Sequence, residues 1–476
     1  MNRNGLVPLL LVAACSGGGV RRDDDSGADS TTIDAAGTVN DLSARLHDAI
    51  GSVVYVSWQQ IVASDTVSVA YRFEGETWLE TPAKPGQLGP HEAIVLGIPY
   101  ATPLQWRVVV RDGAVADDVD GPAITTGAQP SALPTIALGV VDEGSWDPAG
   151  RFLLTSVSAE QPMQSNTPSF WVTLIDRQGR YVWAIPANER SWTLYAKPSR
   201  DGTTLLYDDD LFWTSFDPNA DSVVHQIRLD GSEVRRWEVS GMAHAFDDLS
   251  EDTIAWNRTE GDDDVVVVSE GSAAPVPIWS CRDWLTTVDL ADTSGNPSDA
   301  HCGSNALSYN EDRGTYTVSL WSHETVLEFD AASGAVLWFA DPGGGNGYTV
   351  PTEGVWHWQH EAQLLSADRL LLSSGFNPDS RGSFAGTASY EYLIDHATGS
   401  LTLVWSYVSE PEFAAQFKGG VCRLPGGNTL AYYGSAGGVK EITPAGDVPW
   451  QIQFDENYDV WSGRSYFLDD LYAFVP

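Results

Sequence analysis

The chain has 476 residues, more than one ordinary hydrophobic core accommodates, and carries 65 Asp and Glu against 26 Lys and Arg, a formal net charge of −39. Such a field repels phosphate backbones and anionic lipid surfaces, which excludes a general nucleic-acid binder and a protein held to membranes by charge. A hydrophobic content of 42% with 19 Trp, 17 Tyr and 15 Phe excludes global disorder, and no apolar run reaches the roughly 20 residues of a membrane span.

Residues 1–14 read as an address. Arg3 gives a short positive start, Leu6–Ala14 is apolar but too short to span a bilayer, and Val12-Ala13-Ala14-Cys15 is a small-residue cleavage site followed by Cys. The pattern resembles a bacterial lipoprotein signal peptide with Cys15 as the lipidated residue; an ordinary secretory signal with a Cys nearby is the alternative. Ser16 follows rather than Asp, which in a Gram-negative cell favours the outer membrane, so an exported lipoprotein on its periplasmic or surface face is expected, touching the membrane only through its lipid. Residues 15–40 are small, polar and acidic, with almost nothing to bury, and read as a flexible tether. Export suits disulfides. With Cys15 lipidated, Cys281, Cys302 and Cys422 remain, and Cys281–Cys302 is the expected pair because both flank one irregular segment; three buried thiols are the alternative. No zinc spacing is present.

Residues 41–128 contain short alternating runs, Val53–Trp58, Thr66–Phe73, Glu92–Ile98 and Leu104–Gly113, separated by turn-rich pieces. That spacing predicts an antiparallel sandwich. Trp58 and the run after Trp106 resemble the core tryptophan and late strand of fibronectin type III domains, and a positioning role fits this unit better than catalysis. Residues 128–138 read as a linker.

From residue 138 to 476 one unit keeps returning: a β run, a Gly or Pro turn, a second β run, then Trp. It ends at Trp183, Trp237, Trp279, Trp338, Trp405 and Trp450, at spacings of 42 to 67 residues. Such periods predict an all-β six-bladed β-propeller, since one blade cannot cover both its faces and neighbours must stack. The six tryptophans are expected to pack between sheets. Function in this architecture sits in loops around one end of the central channel, so polar residues at the start of successive blades are the candidates. Among nine histidines, His244, His301 and His360 occupy comparable blade starts, with His357 three residues before His360.

The stretches Gln359–Asn377, Gly419–Trp450 and Ser304–Pro342 resemble the bacterial arylsulfotransferase family, which transfers a sulfuryl group between phenols without a nucleotide sulfate donor; the resemblance is good over about a third of the chain. It implies a six-bladed propeller behind a small sandwich, no cofactor, and an aryl sulfate and a phenol as partners. His360 matches the His of the family's Gln-His motif and is implied as the nucleophile that takes the sulfuryl group. His244 matches a second family His acting on phenol or sulfuryl oxygens, with Ala245 where the family has Asp. Asn305 matches the Asn of a His-x-Asn motif, but Gly303 stands at the His position and His301 lies two residues early. Trp321 stands where the family has Arg. Fixed positive charge around the sulfuryl oxygens carries much of such catalysis, and Arg313 and Arg381 are the substitutes considered.

Three readings follow: an active arylsulfotransferase; a catalytically impaired propeller of the same family that binds a ligand or partner; and a scaffold lipoprotein that only mediates contacts. Oligomeric state is left open. The runs Asp208–Asp210 and Asp262–Asp264 read as solvated acidic turns, with calcium binding as the alternative. LPGGN at 424–428 and DPGGGNG at 341–347 read as hairpin closures that need no phosphate, and no nucleophile elbow, P-loop or dinucleotide motif is present.

Overall fold

The computed structural model describes residues 37–476 apart from 114, 160–168, 189–190, 216, 218, 261–262, 272, 289, 291–301, 344, 377–384, 416 and 455–459. The expected signal peptide, Cys15, most of the tether and His301 therefore lie outside the described residues.

Alternation decides the first unit. In Val54–Gln60 every second side chain is buried, as a half-covered strand requires. That strand pairs with Val39–Leu46 and Gly89–Val95 in one antiparallel sheet. The second sheet centres on Ser64–Arg72 and Pro103–Asp112, with Val115–Asp120 alongside. Trp58, Tyr71, Trp106 and Val108 fill the space between the two sheets, and the Trp106 indole N–H donates to the Pro122 carbonyl at 2.8 Å. The unit is seated on the rest of the chain by apolar contact. Ile50, Val53 and Leu96 share one buried cluster with Leu154, Val172 and Leu205. The Leu96 N–H also donates to the Tyr472 hydroxyl at 3.4 Å.

Six further antiparallel sheets follow in chain order. The first holds Phe152–Ala159, Ser169–Asp176 and Tyr181–Pro186, headed by the C-terminal strand Ser462–Leu468. The second begins at Ala196–Pro198, the third at Met242–Ser250, the fourth at Ser304–Asn310 and the fifth at His357–Ser366. The sixth runs from Gly420–Arg423 to Trp450–Phe454 and gains Ile136–Val141 as a fifth strand. Strands from both ends of this region thus hydrogen-bond into sheets formed by the other end. Leading strands of successive sheets adjoin: Met242–Ser250 contacts Ser304–Asn310, which contacts His357–Ser366.

The six repeat tryptophans each lie on the fourth strand of a sheet. Five are buried, and Trp405 is half-buried beneath the Arg423 guanidinium. Two stitch neighbouring sheets directly: Trp183 Nε1 donates to the Leu229 carbonyl and Trp450 Nε1 to the Arg177 carbonyl, both at 2.9 Å.

Three sequence-based expectations need correction. The segment 128–138 is not wholly a linker, because Ile136 already pairs with Phe454 in the sixth sheet. DPGGGNG closes no hairpin; it leaves the strand Val336–Ala340 and leads to the fifth sheet, its Asp341 carboxylate accepting the Gly343 N–H at 2.7 Å. Asp208, Asp209 and Asp210 are not solvated but buried, because neighbouring backbone N–H groups need acceptors there. Asp208 Oδ1 accepts from Leu194 N–H at 2.9 Å and Tyr195 N–H at 2.7 Å. In the other run Asp262 is outside the described residues. Asp264 accepts the Ser304 N–H at 2.9 Å, one residue before Asn305, and Asp263 accepts from Arg282 N–H and the Ser280 hydroxyl. The acidic runs pin the backbone that carries candidate site residues.

Candidate active site

One cavity gathers the expected residues. His244 on the leading strand of the third sheet, Asn305 on that of the fourth and His360 on that of the fifth all line it. Lys418, Glu361, Tyr432 and Arg464 complete its polar wall, with Leu194 and Tyr195 beside them. His301 lies outside the described residues, as does Arg381. Arg313 is not in the cavity: Glu328, itself buried, holds its guanidinium at 2.7 Å. His357 is also elsewhere, its Nδ1 at 3.1 Å from the Glu324 carboxylate.

His360 has a defined tautomer. Its Nδ1 lies 3.1 Å from the Trp358 carbonyl oxygen. A carbonyl can only accept, so Nδ1 carries the proton and Nε2 keeps its lone pair. Burial pushes the imidazole pKa down to about 4, and the charges of Lys418 and Arg464 press in the same direction. At neutral pH the ring is therefore neutral and nucleophilic. Burial likewise lowers His244 to about 3, with His360 and Lys418 adding to the shift.

The backbone around these groups is strained. His244 has φ of 100°, Trp358 48°, Glu361 50° and Lys418 55°, values that cost L-residues about 1–3 kcal/mol each and persist only where surrounding structure fixes them. Asp210 Oδ2 accepts the His244 N–H at 3.4 Å, and burial lifts the Asp210 carboxyl to about 7. Gly434 lets the chain fold against Lys418, since a Cβ there would overlap the Lys418 carbonyl. Gly303 occupies a left-handed turn (φ 59°), and a Cβ would come within 2.7 Å of Ser322 Oγ, so this loop is shaped around glycine. Trp321, at the position of the family Arg, stacks with Trp358 at 6.3 Å.

Two cations that the motif comparison missed are present. Arg464, on the C-terminal strand that heads the first sheet, holds Glu361 at 2.5 Å and lies 3.8 Å over the Tyr195 ring. Glu361 also accepts the Tyr432 hydroxyl. Lys418 Nζ is buried and has no hydrogen-bond partner among the described residues. Burial drives its pKa well below 10.5, against the pull of Asp208 and Asp210. Asn305 donates from Nδ2 to the Gln359 carbonyl at 2.7 Å and leaves Oδ1 without a partner among the described residues. Lys418 had a sequence signal: it is one of only four lysines and precedes the leading strand of the sixth sheet. Arg464 had none, because nothing in the repeat assigns its strand to the first sheet.

The Arg464–Glu361 pair is structural as well as electrostatic. Glu361→Gln would leave the buried guanidinium unbalanced, and removing one partner of such a pair costs about 3–5 kcal/mol. A fall of that size in unfolding free energy is expected from denaturant titration; a change under about 1 kcal/mol would show the pair to be dispensable.

No curated protein matches the chain by sequence. Among solved structures the chain is similar to a protein of unknown function from Bacteroides caccae, at 12% identity and a TM-score of 0.40, over 66% of this chain and 100% of that one. It is also similar to virginiamycin B lyase from Staphylococcus aureus, at 8% identity and a TM-score of 0.34, over 70% and 99% of the two chains. These likenesses are too distant to carry an argument. The family model for arylsulfotransferase (ASST) matches residues 286–455, a segment that contains Asn305, His360, Glu361, Lys418 and Tyr432, so over that segment the chain is similar to the arylsulfotransferase family.

Proposed function

We propose that the chain is an exported lipoprotein enzyme that moves a sulfuryl group from an aryl sulfate to a phenolic acceptor through a sulfohistidine at His360. The six sheets act as the blades of a six-bladed propeller, and the cavity lies where their leading strands converge. One observation carries the reading: His360 is held as the Nδ1–H tautomer with a neutral ring in a cavity that also holds Lys418, whose Nζ has no hydrogen-bond partner among the described residues.

In the first half-reaction His360 Nε2 attacks sulfur. The N–S bond forms as the bond from sulfur to the aryl oxygen breaks, and the departing phenolate takes a proton from Lys418. In the second half the acceptor phenol returns a proton to the Lys418 amine. Its oxygen attacks sulfur, the N–S bond breaks and His360 is restored. A lysine with a lowered pKa suits this exchange, because proton transfer is most efficient between groups of similar affinity. His244 stays neutral and donates a hydrogen bond to the sulfuryl oxygens, while Arg464 adds fixed positive charge beneath them.

A second reading is favoured by Trp321 and Gly303 at two family positions: an impaired member of the family whose cavity binds aryl sulfates without turnover. Incubation of the chain with 4-nitrophenyl sulfate and phenol separates the two. The enzyme reading expects release of 4-nitrophenol and a sulfuryl adduct, seen by mass spectrometry, on the peptide that contains His360. A folded protein that binds the ester but gives neither product nor adduct is the impaired form. Lipid attachment at Cys15 is tested by labelling cells with a radioactive fatty acid and comparing Cys15→Ser.

A further inference from the structure

The cavity is small, and the Arg464 guanidinium already covers the Tyr195 ring at 3.8 Å, so little of its wall is open to an aryl ring. Beside it stands a row of aromatic side chains drawn from distant parts of the chain. The Trp213 ring meets His244 edge-on, with centroids 4.4 Å apart. Trp192 lies 6.2 Å from Trp213 and 5.0 Å, edge-on, from Trp461. Phe417 stacks on Trp461 at 6.0 Å. Lys418 Nζ sits 3.9 Å from the centre of Trp192 and 4.7 Å from that of Trp461, so the row touches the cavity at both His244 and Lys418.

The row is not sealed. Trp192 and Trp213 are half-buried, and Phe417 is 49% exposed. Leaving such area in water is unfavourable by about 25 cal/mol per Å², and a flat aromatic ligand would remove it from water. The geometry points to Trp213, Trp192, Trp461 and Phe417 as the binding wall for the aromatic portion of the substrate, selecting fused two-ring aryl sulfates over single-ring ones. The ligand class follows from two features. The row spans several indole rings and so exceeds the width of one six-membered ring. Lys418, at its inner end, complements an anion attached to the ring. This inference rests on the proposed sulfuryl transfer, because it is the sulfate at His360 that orients the ring toward the row.

The test is calorimetric titration of the full chain with phenyl sulfate and with 2-naphthyl sulfate, alongside release of each phenol. The naphthyl ester is expected to bind about tenfold more tightly. Trp213→Leu and Phe417→Ala should each cut that preference to about twofold, and Trp213→Phe should keep most of it. Phe417 is exposed, so its substitution tests the wall even if Trp213→Leu fails to fold. Equal affinities for the two esters, a preference that survives both substitutions, or no binding of either ester overturns the inference. Tight, variant-sensitive binding without release of 2-naphthol leaves the wall in place and overturns sulfuryl transfer instead.

Discussion

His360→Ala is expected to lower turnover of an aryl sulfate by about 10⁴-fold or more, the scale seen when the nucleophile of a covalent mechanism is removed. The fold should survive, because the hydrogen bond lost among the described residues is the one to the Trp358 carbonyl, worth about 1 kcal/mol. The pH profile gives a second, sharper reading. The nucleophile is the unprotonated ring, and burial holds its pKa near 4, so kcat/KM should stay level down to about pH 5 and fall as pH drops through 4. An acid limb at the ordinary imidazole value of about 6.5 would contradict the buried tautomer. Stability follows the same sign. His360 and His244 take up protons less readily folded than unfolded, so their contribution is full above about pH 6.5 and is lost as pH falls through 4 and 3. Chemical denaturation at pH 7 and at pH 4.5 measures it.

Lys418→Met is expected to reduce kcat by about 100- to 1,000-fold, the usual cost of removing one preorganised donor from a site of developing negative charge. Two observations make this residue decisive. Trp321 stands where the family has an arginine and stacks on Trp358, so it supplies no charge. Arg464 is already engaged by Glu361, whereas Lys418 Nζ has no hydrogen-bond partner among the described residues. Its lowered pKa sets the direction of the alkaline limb. Anion binding should weaken as pH rises through a value well below 10.5, and that limb should be absent from Lys418→Met. Turnover within about threefold of the unmodified chain would remove Lys418 from the mechanism.

Much of the architecture was legible in residue order, for reasons visible at particular places. Alternation in Val54–Gln60 needs only a half-covered sheet, and the recurrent tryptophans mark fourth strands because each sheet must bury the same flank. Asn305 and His360 could be named as candidates because they lie in local motifs, and His244 because it holds the same place in the repeat; the structure brings the three to one cavity. The acidic runs misled because a carboxylate is ordinarily solvated; only the neighbouring N–H groups of Leu194, Tyr195 and Ser304 show why these are buried.

The charge balance of the cavity was decided by tertiary structure alone. Arg464 arrives on a strand from the end of the chain that heads a sheet begun some 300 residues earlier, where Thr155 pairs with Ser465. Lys418 loses its water because Trp192 and Trp461 close over it from opposite ends of the same region. Residue order alone established an acidic, all-β repeat chain whose histidines recur at the starts of its sheets. Which cations stand beside those histidines depends on pairings between distant strands, and local pattern carries no information about those, because a strand's hydrogen bonds are satisfied equally well by any partner that the rest of the fold brings alongside.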